Sequence, residues 1–245
     1  MNEQEDLYLI MKKILIVFAL LIVILKSNGQ SAEIYLEKGN ENYKSSDFNE
    51  AIKNYNKAIE LNPKITEAYW ARGSAKAYLK NYRGAIADFN KAIELNPKYT
   101  QAYLARGTVK GHLQDYRGAI ADFNKNIEIN PMVSGAYGSR GNAKANLQDY
   151  RGAIADYSKA IELNLMVDEI YYNRGLSKAN LQDYRGAIAD YTLAIKLNPK
   201  LTEAYLNRGI VKNILKDKNG ACLDWSKAGE LGYKEAYEII KKYCN

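Results

Sequence analysis

Few side chains in this sequence have the type and spacing that catalysis or metal binding requires. His112 is the only histidine in 245 residues. No Cys/His cluster accompanies it, so a metal site or a general base has nothing to be built from. No Ser/His/Asp set, Gly-rich phosphate loop or paired-carboxylate motif stands apart from the general pattern. The expectation is therefore a non-enzymatic protein with no metal and no cofactor. Two cysteines, Cys222 and Cys244, can do one piece of chemistry together. Cys222 opens one predicted helix and Cys244 ends the next, so antiparallel packing brings both to the same end. In an exported chain a disulfide is favoured there. It would close a loop of about 20 residues, worth on the order of 3 kcal/mol. The alternative is two buried or fraying thiols.

The charged residues fall in columns. Arg72, Arg106, Arg140, Arg174 and Arg208 form one, and Asp88, Asp122, Asp156, Asp190 and Asp224 another. Each Asp is expected to meet an Arg across a helix interface and so set the stacking angle. The competing reading is a solvated stripe worth about 0–1 kcal/mol per pair. A second basic column, Arg83, Arg117, Arg151 and Arg185, begins predicted helices, where positive charge opposes the helix dipole.

The elements that carry these columns recur at a constant 34-residue interval. Asp149–Leu163 (DYRGAIADYSKAIEL) is nearly copied at Asn81–Leu95, Asp115–Ile129 and Asp183–Leu197, and more loosely at Asp47–Leu61 and Asp217–Leu231. Such a period marks one supersecondary unit stacked on its neighbours. Each unit holds two helical patterns. Thr66, Thr100, Ser134, Asp168 and Thr202 occupy the expected N-cap column of the first helix. Asp47, Asn81, Asp115, Asp149, Asp183 and Asp217 occupy that of the second. Asn-Pro pairs at Asn62, Asn96, Asn130 and Asn198 stop the second helix, and Asn164-Leu165 is the one departure. The packing columns are a first-helix Tyr (Tyr137 and its equivalents), a Gly (Gly141), a second-helix Ala (Ala153) and an aromatic (Tyr157). The small residues let two backbones approach, and each buried ring is worth roughly 1.5–3 kcal/mol.

These columns, with a second alanine at Ala58, Ala92, Ala160, Ala194 and Ala228 (Asn126 departs), resemble tetratricopeptide repeats. The resemblance implies an all-α fold: a right-handed superhelical solenoid of about six helix pairs, spanning 32–65, 66–99, 100–133, 134–167, 168–201 and 202–233. Residues 234–245 are expected to form a capping helix, with Tyr233–Tyr243 amphipathic and Lys234, Glu235, Glu238, Lys241 and Lys242 on its outer face.

The resemblance also implies a concave groove lined by first helices. The residues expected to face it are Trp70, Ser74 and Tyr78; Leu104, Thr108 and His112; Asn142 and Asn146; Tyr172, Asn173 and Asn180; and Leu206, Asn207 and Asn213. In chaperone-binding members of the family, basic residues clamp a C-terminal carboxylate. The matching positions here are Leu36, Trp70, Leu104, Tyr172 and Leu206, so that clamp is absent. Asparagines can instead hydrogen-bond an extended backbone as both donor and acceptor, with Trp70 and Tyr172 as anchors. The alternative is a merely soluble inner wall.

The expected function is a protein-interaction scaffold binding a peptide or protein segment. A self-associating structural solenoid is the alternative. A nucleic-acid binder is disfavoured despite the net charge of +7, because the basic residues are spread through repeat columns rather than clustered. Residues 1–29 read as an N-terminal extension and a secretory signal. Lys12 and Lys13 precede the apolar run Ile14–Leu25, too short to span a bilayer comfortably. Ser27 and Gly29 offer a cleavage site leaving Gln30 first, and Met11 competes with Met1 as the start. The expected location is periplasmic or secreted, with membrane contact only through an uncleaved leader.

Overall fold

The computed structural model describes the backbone of residues 3–244 and the side chains of residues 11–17 and 31–244. Among them the regular structure is helical: α1 (Glu3–Lys44), α2 (Phe48–Leu61), α3 (Thr66–Tyr78), α4 (Tyr82–Leu95), α5 (Thr100–His112), α6 (Tyr116–Ile129), α7 (Ser134–Asn146), α8 (Tyr150–Glu162), α9 (Asp168–Asn180), α10 (Tyr184–Leu197), α11 (Thr202–Ile214), α12 (Lys218–Glu230) and α13 (Ala236–Tyr243). Two compact units divide at residues 109 and 110, inside α5. In the first, α1 packs on α2, α2 on α3 and α3 on α4; in the second, each helix from α6 to α13 packs on the next. Each unit is thus an all-α stack of helix pairs.

The core follows the columns. Ala51, Ala85, Ala153, Ala187 and Ala221 are sealed from solvent, as are the rings of Tyr55, Phe89, Tyr157, Tyr191 and Trp225. Close approach depends on the glycine column: a Cβ on Gly141 would sit 2.7 Å from the Tyr157 ring, and one on Gly209 2.6 Å from Trp225.

Second-helix caps are as expected. Each of Asp47, Asn81, Asp115, Asp149, Asp183 and Asp217 accepts a hydrogen bond from the amide three residues on, at 2.9–3.1 Å. Each such cap is worth about 1 kcal/mol. First-helix caps differ from expectation. Thr66, Ser134, Asp168 and Thr202 are the first helical residues, and the cap positions belong to Ile65, Val133, Val167 and Leu201, which make no side-chain cap bond. The free amides find backbone carbonyls instead, as in Ala136 N to Val133 O at 3.0 Å and Ala204 N to Leu201 O at 3.1 Å. These tight i,i+3 bonds satisfy the helix start without a polar side chain.

Turns follow two designs. After second helices, Asn62, Asn96, Asn130 and Asn198 accept from the amide two residues on at 3.0–3.1 Å, bridging the Asn-Pro corner. Asn164, lacking its proline, takes φ +67, and Leu165 N reaches Ala160 O at 2.9 Å. That is a Schellman closure, so the corner is a different turn. The same closure ends every first helix, with Ser46, Lys80, Gln114, Gln148, Gln182 and Lys216 at positive φ.

The Arg and Asp columns meet. Arg140 Nε and Nη2 donate to Asp156 Oδ2 and Oδ1 at 2.9 and 2.6 Å, and the equivalent forks join Arg72–Asp88, Arg174–Asp190 and Arg208–Asp224. A third partner was not expected: Lys144 Nζ lies 2.8 Å from Asp156 Oδ2, and Lys76, Lys110, Lys178 and Lys212 repeat it. Arg140 Nη1 also donates to Asn124 of α6 at 2.7 Å, so one guanidinium ties α6, α7 and α8. The carboxylates are only 2–4% exposed, which rejects the solvated stripe. In the first hairpin Asn42 and Asn54 stand in the Lys and Asp columns and bond each other at 2.9 Å.

Cys222 and Cys244 form a disulfide with their Cα atoms 5.9 Å apart. The capping helix begins at Ala236, not Tyr233, because Gly232 turns at φ +106. Lys234 and Glu235, expected on its outer face, therefore precede it; they are exposed, as are Glu238, Lys241 and Lys242 on the helix, and Tyr243 packs 5.9 Å from Trp225. At the other end α1 runs unbroken from Glu3 to Lys44 into the first repeat. The side chains of residues 18–30, with Ser27, Gly29 and Gln30 of the expected cleavage site, lie outside the described residues. Among the described residues no helix is long and apolar enough to cross a membrane.

Candidate functional site

The first helices hold their inner residues in place because the opposite face is locked by the Arg–Lys–Asp clusters and the Gly–aromatic contacts. In the second unit a cleft of about 380 Å³ opens between α7 and α9 above α8. Asn142 and Asn146 come from α7, Asn173 and Asn180 from α9, and the rings of Tyr150 and Tyr157 from α8. Four of the expected groove asparagines therefore share one site. Asn142 Oδ1 accepts from Tyr157 Oη at 2.7 Å and from Asn173 Nδ2 at 3.1 Å. Asn146 and Asn180 each donate Nδ2 to their own helix, at Asn142 O (2.8 Å) and Leu176 O (2.9 Å). Burial, followed by the charges of Glu169 and Asp156, pushes the Tyr157 phenol well above its ordinary value. It stays protonated and serves as a donor.

The first unit holds an equivalent cleft of about 220 Å³, with Trp70 and Ser74 of α3 facing Asn40 and Tyr43 of α1 and Tyr55 of α2. Tyr55 Oη donates to Asn40 Oδ1 at 2.9 Å, as Tyr157 does to Asn142. Trp70 meets Tyr99 edge-on at 6.2 Å. Tyr43 is pushed up to about 12, first by burial and then by neighbouring Tyr78.

The other expected groove residues line neither of these clefts. Tyr78 is 64% exposed but stacks on Phe48 at 4.8 Å. Thr108 Oγ1 donates back to Leu104 O at 2.9 Å, and His112 is exposed at the end of α5. Tyr172 packs on the core cluster of Ala187, Tyr191 and Val211. Its hydroxyl accepts from Asn207 Nδ2 at 2.9 Å, which holds the ring in place. Leu206 is half-buried, its carbonyl 3.4 Å from Trp225 Nε1; Asn213 is half-buried on α11. Sequence reasoning missed Asn40, Tyr43, Tyr55, Tyr150 and Tyr157 as lining residues. A signal existed for Asn40 and Asn142: both directly follow the glycine column. Tyr55 and Tyr157 read only as core, since a ring can fill a core and still show its hydroxyl to a cleft.

Among the described residues no group of His, Cys, Asp and Glu is placed to hold a metal ion. What the clefts offer is hydrogen bonding beside aromatic surface.

Models of the TPR repeat match residues 39–81 and 141–182, and models of the tetratricopeptide repeat match 66–99 and 169–201. Among solved structures the chain is similar to YrrB, described as a TPR protein with an unusual peptide-binding site. Identity is 22% and the TM-score 0.67, over 76% of this chain and 97% of that one. It is also similar to MamA (22%, 0.63, over 70% and 94%) and to PilF of Pseudomonas aeruginosa (15%, 0.76, over 88% and 99%). At these identities the likeness is one of fold. No curated protein sequence matches.

Proposed function

This chain belongs to the tetratricopeptide-repeat family, whose members generally serve as non-catalytic scaffolds for contacts between proteins, and on that premise we propose that it binds an extended polypeptide segment along its first helices. The observation that carries the reading is the cleft where Asn142, Asn146, Asn173 and Asn180 converge. Amides suit a peptide backbone, which offers a donor and an acceptor at each residue. Rings beside them supply apolar contact at low entropy cost. YrrB is itself described as having a peptide-binding site, which supports the reading by analogy of fold.

We place the protein in an oxidising, exported compartment. The Cys222–Cys244 bond fits such a setting, and so does a basic start followed by an apolar run. N-terminal sequencing of exported protein should read from Gln30; an intact Met11 would reject cleavage.

The binding test is equilibrium capture of a random decapeptide library by the full chain, compared with the Asn146→Leu/Asn180→Leu double variant. Both side chains are exposed, so the variant should melt as the wild type does. Sequences enriched by the wild type should be lost by the variant. Equal enrichment by both proteins, or none by either, rejects the proposal.

A further inference from the structure

The cleft of the first unit differs in chemistry from its counterpart three repeats on. Its rings are Tyr43 from α1, Tyr55 from α2 and Trp70 from α3. In the second unit Ala145 stands at the position of Tyr43, and Asn173 at that of Ala71. The exchange removes an amide from the first cleft and adds a ring to it.

Stacking of the repeats does not call for these rings. The column of Tyr43 holds Ala77, Gly111, Ala145 and Ala179, and that of Trp70 holds Leu104, Gly138 and Leu206. Both rings are nevertheless held in place. Tyr43 meets Phe48 at 5.3 Å and Tyr78 at 5.6 Å, each edge-on. Trp70 packs on the core clusters of Tyr55 and Phe89 and meets Tyr99 edge-on. The cleft between them keeps about 220 Å³. That is below the roughly 300–1,000 Å³ of a drug-sized site and suits one side chain. Walls already fixed spare a ligand the cost of ordering them.

The polar groups of the cleft do not select a charge. Lys44 and Glu67 are both exposed and carry opposite signs. An exposed pair made with either adds about fivefold in affinity at most. Arg72 and Lys76, the cations of α3, are committed to Asp88. Asn40 Oδ1 holds the Tyr55 hydroxyl, and the Ser74 hydroxyl donates to Trp70 O at 2.9 Å. Asn40 Nδ2 and Trp70 Nε1 are donors that main-chain carbonyls of a ligand can meet. What distinguishes one guest side chain from another here is the rings.

We propose that this cleft takes one aromatic side chain, phenylalanine ahead of leucine, from the polypeptide that the protein binds. The inference rests on the peptide-binding reading above and adds the residue that anchors the segment. An aromatic guest buries a large apolar area and gains ring–ring contacts that an aliphatic one lacks. A charged guest would leave water for a ring-lined space and recover little there.

The test uses the full chain and fluorescent decapeptides of Ala, Ser and Gly with one central guest: Phe, Leu, Ala, Lys or Glu. Phe should bind about tenfold tighter than Ala, with Leu between them, and Lys and Glu no tighter than Leu. The chain has two tryptophans, so the indole N–H signals of the isotope-labelled protein report the site directly. The Phe guest should shift the Trp70 signal and leave that of Trp225, which is 2% exposed. Tyr43→Ala/Trp70→Leu, both residues that fill these columns elsewhere in the chain, should bring Phe down to the level of Ala with helical circular dichroism unchanged. Should that variant unfold, the indole shifts of the wild type still decide. Equal affinity for all guests overturns the aromatic selection while leaving peptide binding standing. Tightest binding by the Lys guest overturns it in favour of a cation over the rings, and a Phe guest that leaves the Trp70 signal unmoved overturns the site. No binding by any guest overturns both readings.

Discussion

Replacing Arg140 with Met asks whether the buried ion clusters hold the stack together. Met keeps the length of the stem but removes the fork onto Asp156, the bond to Asn124 on the neighbouring helix and the seat over the Tyr137 ring at 5.4 Å. Were Asp156 in water, the loss would be about 0–1 kcal/mol. It is 4% exposed, and breaking a buried pair costs about 3–5 kcal/mol because a charge is left stranded. Lys144, 2.8 Å away, remains as a partner and recovers part of that. The expected net loss is therefore about 2–3 kcal/mol, roughly 4–12 °C in melting temperature for a chain of this size. Urea and thermal unfolding followed by helical circular dichroism measure it. Arg140→Met/Asp156→Leu should regain more than half the loss, because no carboxylate is then stranded and Lys144 can reach water along its stem. Lys38→Met is the control. Lys38 lies over Tyr35, and its unit has Asn54 in place of the aspartate, so the change should cost under about 0.5 kcal/mol. An Arg140→Met protein within about 0.5 kcal/mol of wild type would refute the reasoning.

Three further outcomes follow from the geometry. Gly141→Ala drives a methyl to 2.7 Å from the Tyr157 ring and should destabilise by about 1–3 kcal/mol. Gly111→Ala, with nothing within 4 Å, should stabilise by up to about 1 kcal/mol; the same denaturation curves read both, and equal effects would sink the close-approach argument. Cys222→Ser opens a loop of sequence separation 22 and should cost about 3 kcal/mol, concentrated at α13, so that its amides exchange early while those of α8 do not; unchanged α13 exchange would show that packing alone holds the cap. Tyr43 and Tyr99 are both pushed up to about 12, chiefly by burial. The folded state thus holds these protons more tightly than the unfolded one, so their contribution is complete below about pH 10 and lost as pH rises toward 12. Absorbance titration should show a late-ionising class of tyrosines that disappears in urea, and a single uniform class would contradict it.

Much of the fold was legible because repetition compares each residue with its counterparts. Gly141, Ala153 and Tyr157 recur with the same neighbours, and residues repeated together are residues packed together. The second-helix caps and Asn-Pro corners were legible because a local bond decides each of them. First-helix caps were misread at Ser134 and Thr202, since a backbone carbonyl outcompeted the side chain for the same amide. The lysine in each ion cluster went unnoticed because its column, Lys76 to Lys212, carries no mark that separates it from a solvated one. The hold on Tyr172, expected as an anchor, was not legible either, because it comes from Asn207 and the core cluster of neighbouring helices.

Sequence alone settled which side chains share an environment: 34-residue recurrence fixes the face of the helix each occupies, and the disulfide partners, being only two, had no competitors. The tertiary structure decided which atoms within a shared environment bond to which. Hydrogen-bonding valence is finite and is contested by neighbours from different helices. Asn146 and Asn180 could have turned either end of the amide to their own helix, and only the carbonyls of Asn142 and Leu176 beneath them decided that one N–H of each is used there.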